Sequence, residues 1–363
     1  MGFKCGLVGL PNSGKSTIFN AITNLGVEAS AYPFCTIDPH FGIVPLEDDR
    51  LNRIQQMIGS AKKTPTILEF VDIAGLVQGA SKGEGLGNQF LSHIGRVDAI
   101  AHVVRCFEDP NVSHPYETLN PIRDVQIVTT ELILKDLEIV EKRFAKCQNV
   151  AKSGDLQAKK LCIDLEQFVS LLSSGKTIRS MNLNSFQKQL ARELNLLTSK
   201  PEIFIANGDE NHLTKNSLVE SLNEYAISLQ SPCISLCGKV QAEISTLDQK
   251  DQLEFLQAMG LDETGLQKLV NAGYTALELI TFYTANENEA HAWTIPKGTL
   301  APQAAGQVHT DFEKGFIKAE VMAYDDLIKY GSPKTLHDRG LVLIHGKDYI
   351  VKDGDVIFFR VKT

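Results

Sequence analysis

The sequence has no apolar run approaching the length of a membrane-spanning helix, so a helical membrane protein is not expected. Its seven cysteines form no C-x-x-C pair and no His-rich cluster, which leaves out a zinc ribbon or a disulfide framework. Cys233 and Cys237 stand closest together, and that isolated pair lacks partner ligands. Scattered thiols suit a reducing compartment, and a cytoplasmic location is expected. Internal repeats and low-complexity tracts are missing as well. So is an excess of positive charge: the net charge of −8 argues against non-specific polyanion binding by the whole surface. Gly6 stands where a myristoylation signal after Met1-Gly2 needs Ser or Thr. What remains is an ordinary globular composition, 43% hydrophobic over 363 residues, enough for two or three domains.

One stretch organises the rest. Gly9-Leu10-Pro11-Asn12-Ser13-Gly14-Lys15-Ser16-Thr17 fits G-x-x-x-x-G-K-[ST] in full. The apolar run Phe3–Val8 before it reads as a buried strand, and Thr17–Ile22 after it has helical spacing. Gly9 and Gly14 let the backbone wrap so that successive N–H groups face phosphate oxygens, and the helix opening at Lys15 adds its positive end. Asn12, Ser13, Gly14, Lys15, Ser16 and Thr17 are therefore the expected phosphate-binding residues. Lys15 is the principal catalytic charge at the β- and γ-phosphates, and the Ser16 hydroxyl is placed for Mg2+.

Further apolar runs at Ile67–Asp72, Ala99–Val104, Ile203–Ala206 and Cys233–Leu236 predict a mostly parallel, doubly wound α/β sheet with helices on both faces. Between Glu131 and Leu197 the strand signal vanishes. Ile133, Leu137, Val140, Phe144, Cys147 and Ala151 form a heptad seam. After a break at Lys152–Asp155, a second seam runs through Ala158, Leu161, Leu165, Phe168 and Leu172. Two seams across a short turn predict an antiparallel helical hairpin. From Thr281, short strands between Gly, Pro and Asp turns predict a small C-terminal β domain. The expected division is a nucleotide-binding domain over 1–128 and 201–280, an inserted arm over 129–200, and a third unit over 281–363.

Asp72 ends a strand and begins Asp72-Ile73-Ala74-Gly75, the D-x-x-G arrangement, in which the carboxylate holds the metal through water and the Gly75 N–H meets the γ-phosphate. Thr36, within Tyr32–Pro39, is placed like a switch threonine that completes the metal shell and joins the catalytic set; the octet is also compatible with a proline-rich turn. Position 76 is Leu where Ras-like enzymes orient water with Gln, so intrinsic turnover should be slow. His114, in a polar loop, is a candidate water-positioning group, though a lone loop histidine also suits plain surface. Gly79, Gly83, Gly85 and Gly87 suit a switch segment ordered by the γ-phosphate.

Guanine-specific switches carry N-K-x-D, with the Asp accepting from guanine. Here the corresponding residues are Asn207-Gly208-Asp209-Glu210: the Lys is absent and Glu replaces the Asp. Asn207 and the Gly208 backbone can serve adenine instead, and Cys237-Gly238-Lys239 sits where a loop backing the base would lie. The departure argues against tight GTP binding, although Asp209 or Glu210 can still turn inward to meet guanine. An ATPase, a GTPase of the same fold, and a nucleotide-gated binding module with incidental hydrolysis are the readings these residues allow.

Taken together, Gly9–Thr17, Tyr32–Pro39, Phe70–Gly87, Val103–Glu108, the arm, Asn207–Glu210 and His309–Phe316 resemble the YchF/Obg-like ATPases along essentially the whole chain. The resemblance implies a Ras/Obg-like P-loop NTPase fold, a C-terminal TGS domain of the β-grasp type, a preference for ATP, Mg2+ as cofactor, and a link to ribosomes and to translation or stress control. Gly208 stands where a bulkier apolar residue is common, which implies looser packing on the base. Only residues 129–200 are net positive, with twelve Lys and Arg against eight Asp and Glu. Lys142, Arg143, Lys146, Lys152, Lys159 and Lys160 of the arm thus fit rRNA contact as well as they fit a solvated face. The TGS-like unit, near neutral, suits protein as readily as RNA.

Overall fold

The structure is a computed structural model that describes residues 3–25, 41–46, 48–73, 95, 97–152, 155–210, 216–247, 249–259 and 263–362. In chain order the first elements are β1 (Phe3–Val8), α1 (Lys15–Leu25), β2 (Phe41–Pro45), α2 (Asp49–Ile58), β3 (Lys62–Thr64), β4 (Ile67–Asp72) and β5 (Ala99–Arg105). Three helices follow, α3 (Pro121–Ala151), α4 (Leu156–Ser173) and α5 (Ser185–Glu193). Next come β6 (Glu202–Asn207), α6 (Ser217–Ser228), β7 (Cys233–Leu236), α7 (Gly238–Ile244), α8 (Gln249–Ala258) and α9 (Gly265–Ala276). The C-terminal elements are β8 (Leu279–Ala285), β9 (Glu289–Pro296), α10 (Ala301–Val308), α11 (Thr310–Gly315), β10 (Phe316–Ala323), α12 (Tyr324–Tyr330), α13 (Pro333–Asp338), β11 (Leu343–His345) and β12 (Asp355–Val361).

The first sheet has the order β2-β4-β1-β5-β6-β7, parallel except for β2. Its strands are apolar on both sides because helices cover both faces. Ile18, Phe19 and Ile22 of α1 and Leu266, Leu269 and Val270 of α9 pack on one face. Val125, Val128 and Leu132 of α3 and Val219 and Leu222 of α6 pack on the other. The chain leaves β1 towards β4 on one side and β5 on the other, so the crevice at the carboxyl end of β1 is a topological switch point. The P-loop occupies that point.

The arm is a hairpin of α3 and α4. Ile133, Val140 and Cys147 of α3 meet Leu165, Phe168 and Leu172 of α4, and Leu190 and Ala191 of α5 close the cluster. Asp155 caps α4 by accepting from the Gln157 and Ala158 N–H groups. The first arm helix starts at Pro121, ahead of the expected residue 129, because its first turns are the same helix that covers the sheet. At its root the buried Asp136 accepts from Leu197 N, Thr198 N and Thr198 Oγ1, which ties the returning chain to α3.

The second sheet has the order β11-β10-β12-β8-β9-β3. Here the expected division needs correction. β8 begins at Leu279, and α2 and β3, from the stretch assigned to the nucleotide domain, belong to this second unit. β3 pairs in parallel with β9. Leu51 and Ile54 of α2 are buried with Tyr283, Ala292, Leu327, Leu336 and Val356. The sequence hid this because α2 is short and amphipathic, so its apolar face names no partner.

Candidate functional site

The P-loop follows β1 directly, and its two glycines are there because of close approaches. A Cβ at Gly9 would lie 2.5 Å from the Val103 carbonyl oxygen. Gly14 has φ +90°, and a Cβ there would lie 2.0 Å from Asn207 Nδ2. Asn12 adopts φ +61°, a conformation Asn tolerates better than most residues, and its amide donates to Ser113 O at 3.0 Å. Lys15 is buried, and its ammonium pairs with the Asp72 carboxylate at the end of β4. Ser16 and Thr17 are exposed at the opening of α1.

Asn207, at the end of β6, holds this arrangement together. Its Nδ2 donates to Ser13 O and its Oδ1 accepts from Gly238 N, both at 2.9 Å. The side chain thus pins the P-loop against the start of α7. Among the described residues the second Nδ2 proton has no acceptor, which leaves it for a ligand. The Gly208 N–H is spent on Leu236 O at 2.9 Å, leaving its carbonyl as the group it can offer a base edge. Glu210 is exposed, yet near enough to Cys237 for its charge to add to the burial that pushes that thiol up. Lys239 is exposed and lies 3.9 Å from Asp109.

A loop that the sequence reading gave little weight supports the P-loop from the other side. Arg105, buried at the end of β5, donates to the carbonyls of Phe107, Asp109, Val112 and Ser113, and so sets the loop on which Asn12 rests. An arginine closing an apolar strand is the one signal that would have found it. His114 lies on that loop with both ring nitrogens engaged: Nε2 is 2.9 Å from Asp124 Oδ2, and Nδ1 faces the Tyr116 backbone. To position a water, the ring must first leave Asp124. A cavity of about 10 Å3, room for one water, lies beneath the P-loop between Ser13, His102, His114 and Asp124. Ser13 Oγ is buried there with no hydrogen-bond partner among the described residues.

Ser16, Asp72, Lys15 and Asn12 to Thr17 therefore converge on one crevice, with Asn207, Gly208 and Cys237 at its flank. Thr36, Gly75, Leu76 and the Gly79–Gly87 string lie outside the described residues. Among the described residues no group of three or more His, Cys, Asp or Glu side chains is arranged for a metal. One hydroxyl and one carboxylate beside a phosphate cradle is the sparse donor set that suits Mg2+, which keeps waters and shares phosphate oxygens.

A parallel sheet with a phosphate-cradling loop at its switch point, a buried lysine behind the loop and an aspartate at the next strand end defines a P-loop nucleotide-binding protein. Comparisons with known proteins narrow this. A family model described as "50S ribosome-binding GTPase" matches residues 4–140, and the YchF-GTPase_C model, described as "Protein of unknown function", matches 279–362. The chain is 47% identical over 359 residues to the "Ribosome-binding ATPase YchF" of Escherichia coli O157:H7, covering 99% of each chain. It is 46% identical over 363 residues to the protein of that name from Bacillus subtilis (strain 168), again covering 99% of each. The solved YchF GTPase of Schizosaccharomyces pombe matches with a TM-score of 0.88 at 35% identity, over 99% of this chain and 97% of that one. The chain belongs to the YchF family.

Proposed function

We propose that this protein is a slow, Mg2+-dependent ATPase that works as a nucleotide-gated switch at the ribosome in the cytoplasm. The observation that carries the base assignment is the hydrogen bonding of Asn207 and Gly208. One free Nδ2 proton of Asn207 suits purine N7, and a free carbonyl at Gly208 suits the adenine N6 amino group while repelling guanine O6. The relatives' names divide between ATPase and GTPase. The N-x-x-E residues, with Glu210 exposed, favour ATP over GTP.

In this reading the P-loop amides bind the phosphates, and Lys15 turns from Asp72 to the β- and γ-phosphates, whose charge it balances as the bond breaks. Ser16 and Asp72 would hold Mg2+, with Thr36 as a further ligand; a bound ion would neutralise charge on the phosphate oxygens. Gly75 would donate to the γ-phosphate. Cys237 would back the base, as its position at the start of α7 beside Asn207 supports. With Leu76 unable to hydrogen-bond a water, turnover is slow, and His114 serves only when released from Asp124. The arm is the ribosomal contact: Arg143, Lys146, Lys152, Lys159 and Lys160 are exposed on it, while Lys142 is held by Glu138 at 2.5 Å. The C-terminal unit, of TGS type, is a second contact for ribosomal protein or rRNA.

Calorimetric titration with ATP and GTP in Mg2+ buffer tests the base assignment. ATP should bind more tightly, and equal or GTP-biased affinities would overturn it. Lys15→Ala should abolish both binding and turnover.

A further inference from the structure

We propose that Cys147 and Cys162 form a reversible modification site, at which a hydroperoxide joins them in a disulfide that staples the two helices of the arm. Cys147 lies on α3 and Cys162 on α4, facing each other across the hairpin seam. Their sulfurs are 2.6 Å apart. That is about half an ångström longer than the S–S bond of about 2.05 Å, so a small slide of one helix closes it. Cys147 is buried, with its Sγ 3.1 Å from the Ala158 carbonyl oxygen, whereas Cys162 is partly exposed. An oxidant thus reaches one thiol first and finds the second already in contact.

The other described thiols lack this combination. Burial pushes Cys5 up to about 12 and Cys106 further still, and Cys233 beside Cys106 goes up to about 11. Such thiols carry almost no nucleophilic thiolate. Burial also raises Cys147, to about 11, and the contact with Cys162 acts in the same direction. Cys162 reacts first because it is the partly exposed member of the pair. The Cys162 thiolate attacks a peroxide oxygen, the O–O bond breaks, and Cys162 becomes a sulfenic acid with release of hydroxide. The Cys147 sulfur then attacks the Cys162 sulfur, its proton leaves with the displaced hydroxide as water, and the S–S bond forms. Two thiols and one hydrogen peroxide give one disulfide and two waters.

The staple acts beside the basic face of the arm. The seam between residues 147 and 162 carries the turn of the hairpin, and the exposed Lys146, Lys159 and Lys160 flank the two cysteines. This goes beyond the ribosome reading and does not depend on it.

The test uses the full chain and hydrogen peroxide, with iodoacetamide to trap remaining thiols and mass spectrometry of an unreduced tryptic digest. The expected product is the peptide 147–152 joined to 161–176, two hydrogens lighter than the sum, and lost on treatment with dithiothreitol. Amide exchange over 143–165 should slow about tenfold in the oxidised wild type and not in peroxide-treated Cys162→Ser. Cys162 found as sulfinic acid beside an alkylated Cys147 would overturn the proposal. So would Cys162 linked to a different cysteine, or both thiols alkylated at a peroxide dose that oxidises glutathione.

Discussion

At the scale of single residues, Gly14 and Asn207 are one device, because the space a side chain would take at 14 is filled by the amide that ties the P-loop to α7. Gly14→Ala would put a Cβ 2.0 Å from Asn207 Nδ2 at a left-handed φ. We expect it to weaken ATP binding by more than about 100-fold, with a folding cost of about 1–3 kcal/mol. Calorimetry and urea unfolding measure the two separately. A second residue-scale prediction concerns His291, stacked on Trp293 with ring centroids 3.8 Å apart. Burial, opposed by the Glu289 carboxylate, lowers its pKa to about 4 from an ordinary 6.5. Below pH 6.5 the unfolded chain therefore takes up a proton that the folded chain refuses until about pH 4, and stability falls with pH across that window. The loss is at most about 3 kcal/mol, the side chain being less than one-third exposed. Trp293 is the only tryptophan in the sequence and reports unfolding directly. Urea midpoints at pH 7 and pH 4.5 should differ less in His291→Gln than in the wild type. An equal difference would remove His291 as the cause.

At the scale of elements, the strands at 67–72 and 233–236 and both seams of the arm were legible in the sequence, because each is periodic or continuously apolar and bounded by turn residues. β2 and β3 were not. They are short, and β3 is charged on two of three positions, so nothing in its residues tells of the partner β9. The phosphate half of the site was legible because a glycine loop between a strand and a helix is local. The support of Asn12 by Ser113 was not, since that hydrogen bond joins residues about a hundred positions apart, even though Arg105, which sets the Ser113 loop, bonds only to residues close behind it. The arm also carries a test of its proposed partner. Lys146, Lys159 and Lys160 project from α3 and α4 into solvent. If they meet rRNA phosphates, the triple change to Gln should weaken ribosome co-sedimentation and flatten its dependence on salt, lowering the log–log slope by about 2–3. ATP affinity should stay as it was. An unchanged salt slope would assign the face to solvent.

At the scale of the whole molecule, the chain crosses between its two sheets early and returns. β2 ends at Pro45 in the first sheet, α2 and β3 lie in the second, and β4 brings the chain back to deliver Asp72. The crossing is fastened by charge as well as by packing. Asp48 caps α2 by accepting from Arg50 N at 2.9 Å and also accepts from the Tyr283 hydroxyl. Arg50 reaches Asp353 at 2.6 Å, and Asp353 accepts from Thr281 N. The nucleotide crevice and the C-terminal sheet are thus joined through short connections on both sides of α2, and the second sheet cannot complete its core from residues 279–362 alone. Ile54→Ala tests this. Ile54 is fully buried against Tyr283 and its neighbours, so its truncation should cost about 2–4 kcal/mol in the C-terminal unit. Hydrogen exchange should quicken in β8, β10 and β12 while β1, β5 and β6 keep their protection and ATP still binds. The fragment 279–363 should fold only when residues 48–66 are supplied with it. If that fragment folds alone, or if β1 loses protection as much as β8 in Ile54→Ala, α2 is not part of the second core and the division of the chain drawn from its packing is wrong.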